Sequence, residues 1–167
     1  MTLFIFDLDG TLISSYMEND NKEYNIWMPL PDRIAYLAHI RSRGHQVAIV
    51  TNQAGVAFGF VTEKQAQEKI AAALKALHLP ADTPVHVCYA DSRSRDPRYN
   101  DPAQVARRKP GSAMLVEAMM SAGVSAADAI YIGDRHEDKQ AAAAAGVRYV
   151  DASEFFTRVL EYCEGKC

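Results

Sequence analysis

Apolar residues return along this chain in short unbroken runs, separated by longer stretches where they recur every three or four positions. Thr2 to Phe6 (TLFIF) is such a run, the pattern of a strand buried on both faces of a parallel sheet. Gln46 to Val50, Val85 to Tyr89, Ala129 to Ile132 and Val147 to Val150 repeat it. Between them, Pro31 to Arg43 reads as an amphipathic helix, with Ile34, Leu37, Ala38 and Arg41 at helical spacing, Pro31 in its first turn and Gly44 at its end. Thr62 opens a second helix with Gln65 three residues on as a capping box, running to about Leu77. Gly111 to Ala122 predicts a third, closed by Gly123, and Ser153 to Tyr162 a last one. The segment QAAAAAG after the fourth strand is a good helix former whose slim face packs closely on a sheet. Strand–helix alternation of this kind predicts an α/β three-layer sandwich around a mostly parallel five-stranded sheet. No repeat or linker divides the chain, so residues 1–167 are expected to form one domain.

In such folds ligands bind outside the carboxyl ends of the strands. The first strand is followed by Asp7 and Asp9, the second by Thr51 and Asn52, and the fourth by Gly133, Asp134 and then Asp138. The third leads into a long loop ending in Arg107, Arg108 and Lys109. Side chains two apart on an extended segment point the same way, so Asp7 and Asp9 are expected to share a site. Carboxylates gathered at one point repel unless a cation sits among them, and oxygen-only ligands suit Mg²⁺. Phosphoryl transfer uses such a set: a carboxylate as nucleophile, a second as proton carrier, and a hydroxyl and a lysine on the transferring oxygens.

Composition narrows the classes. The 167 residues carry a formal net charge of −3, with 49% hydrophobic and 23% charged residues, an ordinary balance for a globular protein. No global basic field points to nucleic acid, and no apolar run approaches the ~20 residues that span a bilayer. Asp7 and Asp9 interrupt any signal-peptide pattern, so no membrane association and a cytoplasmic location are expected. Cys88, Cys163 and Cys167 form no CxxC pair and no disulfide framework; Cys88, in an apolar run, reads as an inert buried thiol.

The stretches FDLDGT, IVTNQAG, RRKPG and YIGDRHED, in that order from Phe6 to Asp138, resemble the motifs of the haloacid dehalogenase (HAD) superfamily. That resemblance implies a Rossmann-like fold and Mg²⁺-dependent hydrolysis of a phosphomonoester through an aspartyl-phosphate. Asp7 would be the nucleophile and Asp9 the general acid/base, with Thr51 and Lys109 on the phosphoryl group. Asp7, the Asp9 backbone carbonyl, Asp134 and Asp138 would form the metal site. An acid at the position of Asp9 marks phosphatases rather than dehalogenases. TNQAGVAFGF is similar to the third subclass, which holds histidinol phosphatases, heptose bisphosphate phosphatases and polynucleotide 3′-phosphatase domains, all without a large inserted cap. The expected partner is therefore a phosphorylated small molecule or a phosphorylated nucleic-acid end. The heptose and histidinol enzymes usually carry a Cys/His zinc cluster before the RKP motif. Here that loop has Cys88 alone and no His, which sets this chain apart from them.

From Asp91 to Lys109 the same loop holds six positive residues against three aspartates, a local +3. Asn52, Arg107 and Arg108 are the candidate substrate-binding residues, since arginine forks suit phosphate and carboxylate groups. The other reading is a solvated loop whose charges pair among themselves. Trp27 could stack on a base or cover the core edge, and Ser14 to Asn25 could form a small flap. His136 could approach substrate or lie exposed in its loop. There is no Walker lysine after Gly55 and Gly59, so a nucleotide-triphosphate kinase is not expected. Two alternatives to a phosphatase remain. A phospho-accepting signalling domain would place its aspartate after the third strand, where Ala90 and Asp91 lack the matching hydroxyl and lysine. A non-catalytic module of the same fold would have no use for so complete a set of acids.

Overall fold

A computed structural model describes residues 1–18 and 23–163. Five strands, β1 (Leu3–Phe6), β2 (Gln46–Asn52), β3 (Val85–Cys88), β4 (Ala129–Gly133) and β5 (Arg148–Asp151), form one sheet in the order β3-β2-β1-β4-β5. Every pairing is parallel, not merely most of them. Phe4 lies opposite Val47 on one side and Ile130 on the other, which puts β1 at the centre. Helices α1 (Arg33–Ser42), α2 (Glu63–Ala76), α3 (Pro102–Arg107), α4 (Ala113–Ala122), α5 (His136–Ala145) and α6 (Ala152–Cys163) complete the Rossmann-like α/β fold.

The two-residue period of β1 makes the three layers. Phe4 and Phe6 pack with Leu37 and Ile40 of α1, Ile70 and Leu74 of α2, and Phe155 and Phe156 of α6. Leu3 and Ile5 face the other way, onto Met114 and Leu115 of α4 and Ala141 and Ala142 of α5. Two small alanines let α5 sit close to the sheet, as the alanine run predicts. Trp27 is partly buried against the first of these layers, the core-covering alternative. Cys88 is buried, its thiol aimed 3.4 Å from the Gln104 carbonyl, and burial pushes its pKa up.

The α2 capping box forms as expected: Gln65 N–H donates to Thr62 Oγ1 at 3.1 Å and Thr62 N–H to Gln65 Oε1 at 2.8 Å. Helix α3 lies in what the periodicity reads as loop. Its start was nevertheless written in DPAQ, since Asp101 caps the N–H groups of Ala103 and Gln104 and Pro102 occupies the first turn. Six residues are too few to establish an apolar period. Among the described residues, no helix is long and apolar enough to cross a membrane. Part of the expected flap, at 19–22, and Cys167 lie outside the described residues.

Candidate active site

Asp7 extends the β1 ladder, its N–H donating to the Ile132 carbonyl at 2.9 Å, and then the chain turns away. Gly10 makes that turn at φ +88, and a Cβ there would overlap the Asp134 carboxylate. Gly133 is equally constrained, because a Cβ would fall 2.6 Å from Asp138. Both glycines are what bring the acids of β1 and β4 together.

Lys109, 2% exposed, sits at the middle of the site. Its ammonium donates to Asp7 Oδ1 at 2.7 Å, Asp138 Oδ1 at 2.6 Å and Tyr131 Oη at 3.0 Å. Tyr131 in turn donates to Asp138 Oδ1 at 2.6 Å, and the Arg135 N–H reaches Asp138 Oδ2 at 3.1 Å. Burial pushes the Asp7 carboxyl up to about 7; the Lys109 ammonium opposes this, while the Asp138 and Asp134 carboxylates add to it. Burial opposes the Lys109 charge too, but Asp7 and Asp138 beside it keep its pKa above the usual lysine value. Thr11 Oγ1 reaches Asp134 Oδ1 at 3.2 Å, tying the β1 turn to β4.

Asp7, Asp134 and Asp138 each offer an oxygen within 4.8 Å of the others. The all-oxygen donor set fits a hard cation such as Mg²⁺, and an added positive charge would relieve the pressure that raises Asp7. The Asp9 side chain is not in this cluster.

Asp9 is held by a second network. The turn after Asp7 breaks the strand's period, so the two carboxylates reach one cavity but meet different partners. Asp9 Oδ2 accepts from Gln53 Nε2 at 2.7 Å, and Oδ1 is paired with the ammonium of Lys69. The cavity, of about 250 Å³, is lined by Asp7, Asp9, Thr51, Lys109, Tyr16 and Arg108 among others.

The other predicted residues divide. Asn52 borders the cavity, but its amide is paired with the Lys109 backbone, donating to the carbonyl at 3.2 Å and accepting the N–H at 3.1 Å. It thereby steadies Lys109. Arg107 is not brought to the site: its fork grips Glu117 at 2.7 and 2.9 Å and donates to the Val87 carbonyl at 3.3 Å. The one-residue step from Arg107, the last residue of α3, to the extended Arg108 sends the two side chains different ways. Arg108 does line the cavity, with Asp91 3.6 Å away. His136 is exposed at the start of α5.

The 91–100 loop is organised by its own charges. Asp91 takes a two-pronged bond from Arg93 at 2.9 Å, which holds its carboxyl down to about 2 against the effect of burial. Arg98 does the same to Asp96, at 2.6 Å. Ser94 Oγ donates to the Ala57 carbonyl at 2.6 Å and Asp91 N–H to the Tyr99 carbonyl at 2.9 Å, fixing the loop against the segment after β2.

Sequence reasoning missed Gln53, Lys69, Tyr24 and Tyr131. Tyr131 hides in the apolar run AIYIG, and Lys69 hides among the polar residues of α2. A lysine on the apolar stripe, one residue before Ile70, was the available signal.

Over residues 2–156 the chain matches the model of the family described as polynucleotide kinase 3 phosphatase. It belongs to that family, and with it to the phosphatases of the HAD superfamily. Among curated proteins it is 28% identical to the D-glycero-beta-D-manno-heptose-1,7-bisphosphate 7-phosphatase of Haemophilus influenzae, over 85% of this chain and 76% of that one. The D,D-heptose 1,7-bisphosphate phosphatase of B. bronchiseptica, solved with magnesium and phosphate, superposes with a TM-score of 0.66 at 25% identity, covering 89% of this chain and 79% of that one. A HAD-like phosphatase of Mesorhizobium loti gives a TM-score of 0.72 at 23% identity, over 88% and 69% of the two chains.

Proposed function

We propose that the chain, as one HAD-like domain, is a Mg²⁺-dependent phosphomonoesterase working through an aspartyl-phosphate on Asp7. The observation that carries this reading is the meeting of Asp7, Asp9, Thr51 and Lys109 in one cavity beside the Asp7–Asp134–Asp138 cluster. An Asp7 oxygen attacks phosphorus as the bond to the leaving oxygen breaks, and Asp9 gives that oxygen its proton. Asp9 then takes a proton from water whose oxygen attacks phosphorus, and the Asp7–phosphorus bond breaks to release inorganic phosphate. Lys109 and Thr51 hold the transferring oxygens. Asp7, Asp134 and Asp138, with the Asp9 carbonyl, would hold Mg²⁺, which supplies charge neutralisation for the phosphoryl group.

Purified protein is expected to hydrolyse p-nitrophenyl phosphate with Mg²⁺, and EDTA or Asp7→Asn to remove at least ~10³-fold of kcat. Full activity in Asp7→Asn would sink the mechanism.

The substrate is a phosphorylated small molecule on the pattern of the heptose bisphosphate phosphatase relatives. One observation favours a second reading, a nucleic-acid 3′-phosphate end. A groove of about 970 Å³ lies between the segments around 58–65 and 93–99, lined by Phe58, Phe60, Arg93, Arg95, Arg98 and Tyr99, and Phe58 and Phe60 also line the cavity. Aromatic faces interleaved with arginines suit stacked bases and backbone phosphates, and the family's description agrees. Rates on a 3′-phosphorylated oligonucleotide, heptose bisphosphate and histidinol phosphate separate the two. Turnover confined to the small molecules rejects the nucleic-acid reading.

A further inference from the structure

The inward face of α2 carries Ala66, Ile70, Ala73 and Leu74, and among them Lys69, 3% exposed. A cation on a buried helix face is strongly destabilising unless an anion meets it. Among the described residues, the carboxylate paired with Lys69 is that of Asp9 alone. The ammonium also lies over the Tyr24 ring at 4.5 Å and near the Tyr16 ring at 5.3 Å, positions where aromatic faces attract a cation.

The second oxygen of Asp9 is held independently. Gln53 Nε2 donates to it at 2.7 Å and to Thr51 Oγ1 at 2.9 Å. The orientation of that amide is set by Tyr24, whose hydroxyl donates to Gln53 Oε1 at 2.8 Å. Each oxygen of Asp9 thus has one fixed donor, from α2 and from the end of β2. The Asp7 network of Lys109, Tyr131 and Asp138 shares none of these contacts. The two aspartates of the first motif are served by two separate buried lysines.

We infer that Lys69 is the positioning residue of Asp9, holding its carboxyl group aimed into the cavity for both proton transfers. This rests on the acid/base role given to Asp9 above. A carboxylate oxygen accepts two hydrogen bonds, so the single bond from Gln53 leaves Oδ2 with capacity for the travelling proton. Lys69 itself gains and loses no proton in either half-reaction. Its contribution is orientation: an unrestrained aspartate samples other rotamers, and proton transfer needs heavy atoms within ~3 Å.

The test uses the leaving group as a reporter. An alkyl phosphate leaves as a poor alkoxide and needs the proton; p-nitrophenyl phosphate leaves with little help. Lys69→Met keeps the stem and removes the charge. It is expected to lower kcat/KM, which covers the steps through departure of the leaving group, by ~10–100-fold on an alkyl phosphate and by less than ~5-fold on p-nitrophenyl phosphate, whereas kcat falls alike on both wherever hydrolysis of the shared aspartyl-phosphate limits turnover. Asp9→Asn is expected to show the same bias in kcat/KM, and adding Lys69→Met to Asp9→Asn to cost nothing further on the alkyl phosphate. A kcat/KM loss equal on both substrates, or one that multiplies with that of Asp9→Asn, overturns the inference. If Lys69→Met does not fold, Gln53→Leu, which frees the other oxygen, must show the alkyl-selective loss or the inference falls. Unimpaired turnover of both substrates by Asp9→Asn overturns the acid/base reading itself. Impaired Asp9→Asn beside unimpaired Lys69→Met overturns only the role of Lys69.

Discussion

Asp7 is the most strained carboxyl in the site, and its state has a consequence for stability. Its folded pKa, about 7, lies above the ordinary 3.8 because burial outweighs Lys109. The folded state therefore binds a proton more tightly than the unfolded chain. In metal-free protein the contribution of Asp7 to stability falls as pH rises through the window from 3.8 to about 7, and the loss is complete above it. Relative to wild type, Asp7→Asn is expected to gain stability across that window, most at its alkaline end. Urea midpoints at pH 5 and pH 8 in EDTA check this, and the gain should shrink when Mg²⁺ is added. At this scale the acids were readable in sequence because several carboxylates at the ends of adjacent buried strands repel unless a cation lies among them. The residues that hold them were not. Tyr131 counts as apolar in a strand run, and Lys69 counts as solvated on a helix. Only the packing shows that both are buried against carboxylates.

The elements were legible where their period is long enough to count. Strands β1, β2 and β4 follow their apolar runs closely, since each is covered on both faces, and α2 starts where its capping box says. Helix α3 escaped because its six residues span less than two turns, and its effect on Arg107 escaped with it. Arg107 ties α3 to α4 through Glu117, itself 3.4 Å from His86. Both partners are part-exposed, so the pair is worth little more than an exposed bidentate bridge. Arg107→Ala is expected to lower stability by ~1 kcal/mol, seen as a Tm drop of a few degrees, with kcat and KM on p-nitrophenyl phosphate unchanged. A marked KM rise would return Arg107 to the site. The motif RRKPG offered no way to separate its two arginines, because the turn between them is a property of the helix end.

Across the whole molecule, the groove beside the cavity is the proposed place for whatever the substrate carries beyond its phosphate. Phe60 is 77% exposed at its lip, and Arg95 has no ion partner among the described residues, whereas Arg93 and Arg98 are paired with the aspartates two residues back. Arg95 lines the groove and not the cavity, and Arg95→Ala is expected to raise KM ~3–10-fold for a substrate long enough to enter the groove. Hydrolysis of p-nitrophenyl phosphate, which fits the cavity alone, should stay unchanged. Equal KM changes on both would remove the groove from substrate binding. In the 91–109 loop the sequence displays a charge excess, but a charge excess does not say which cations are neutralised locally.

Local pattern in the chain was enough for the layers and for the place of the acids at the strand ends. An apolar run must be covered on both faces, and a carboxylate placed after it must lie at the rim of a parallel sheet. The tertiary structure alone decided the partners. Lys69 comes to Asp9 across 60 residues and Lys109 to Asp7 across 102, and burial at both ends turns ordinary surface types into fixed charges. No local pattern carries that information, because it depends on how α2, the loop before α4 and the β1 turn close over one cavity.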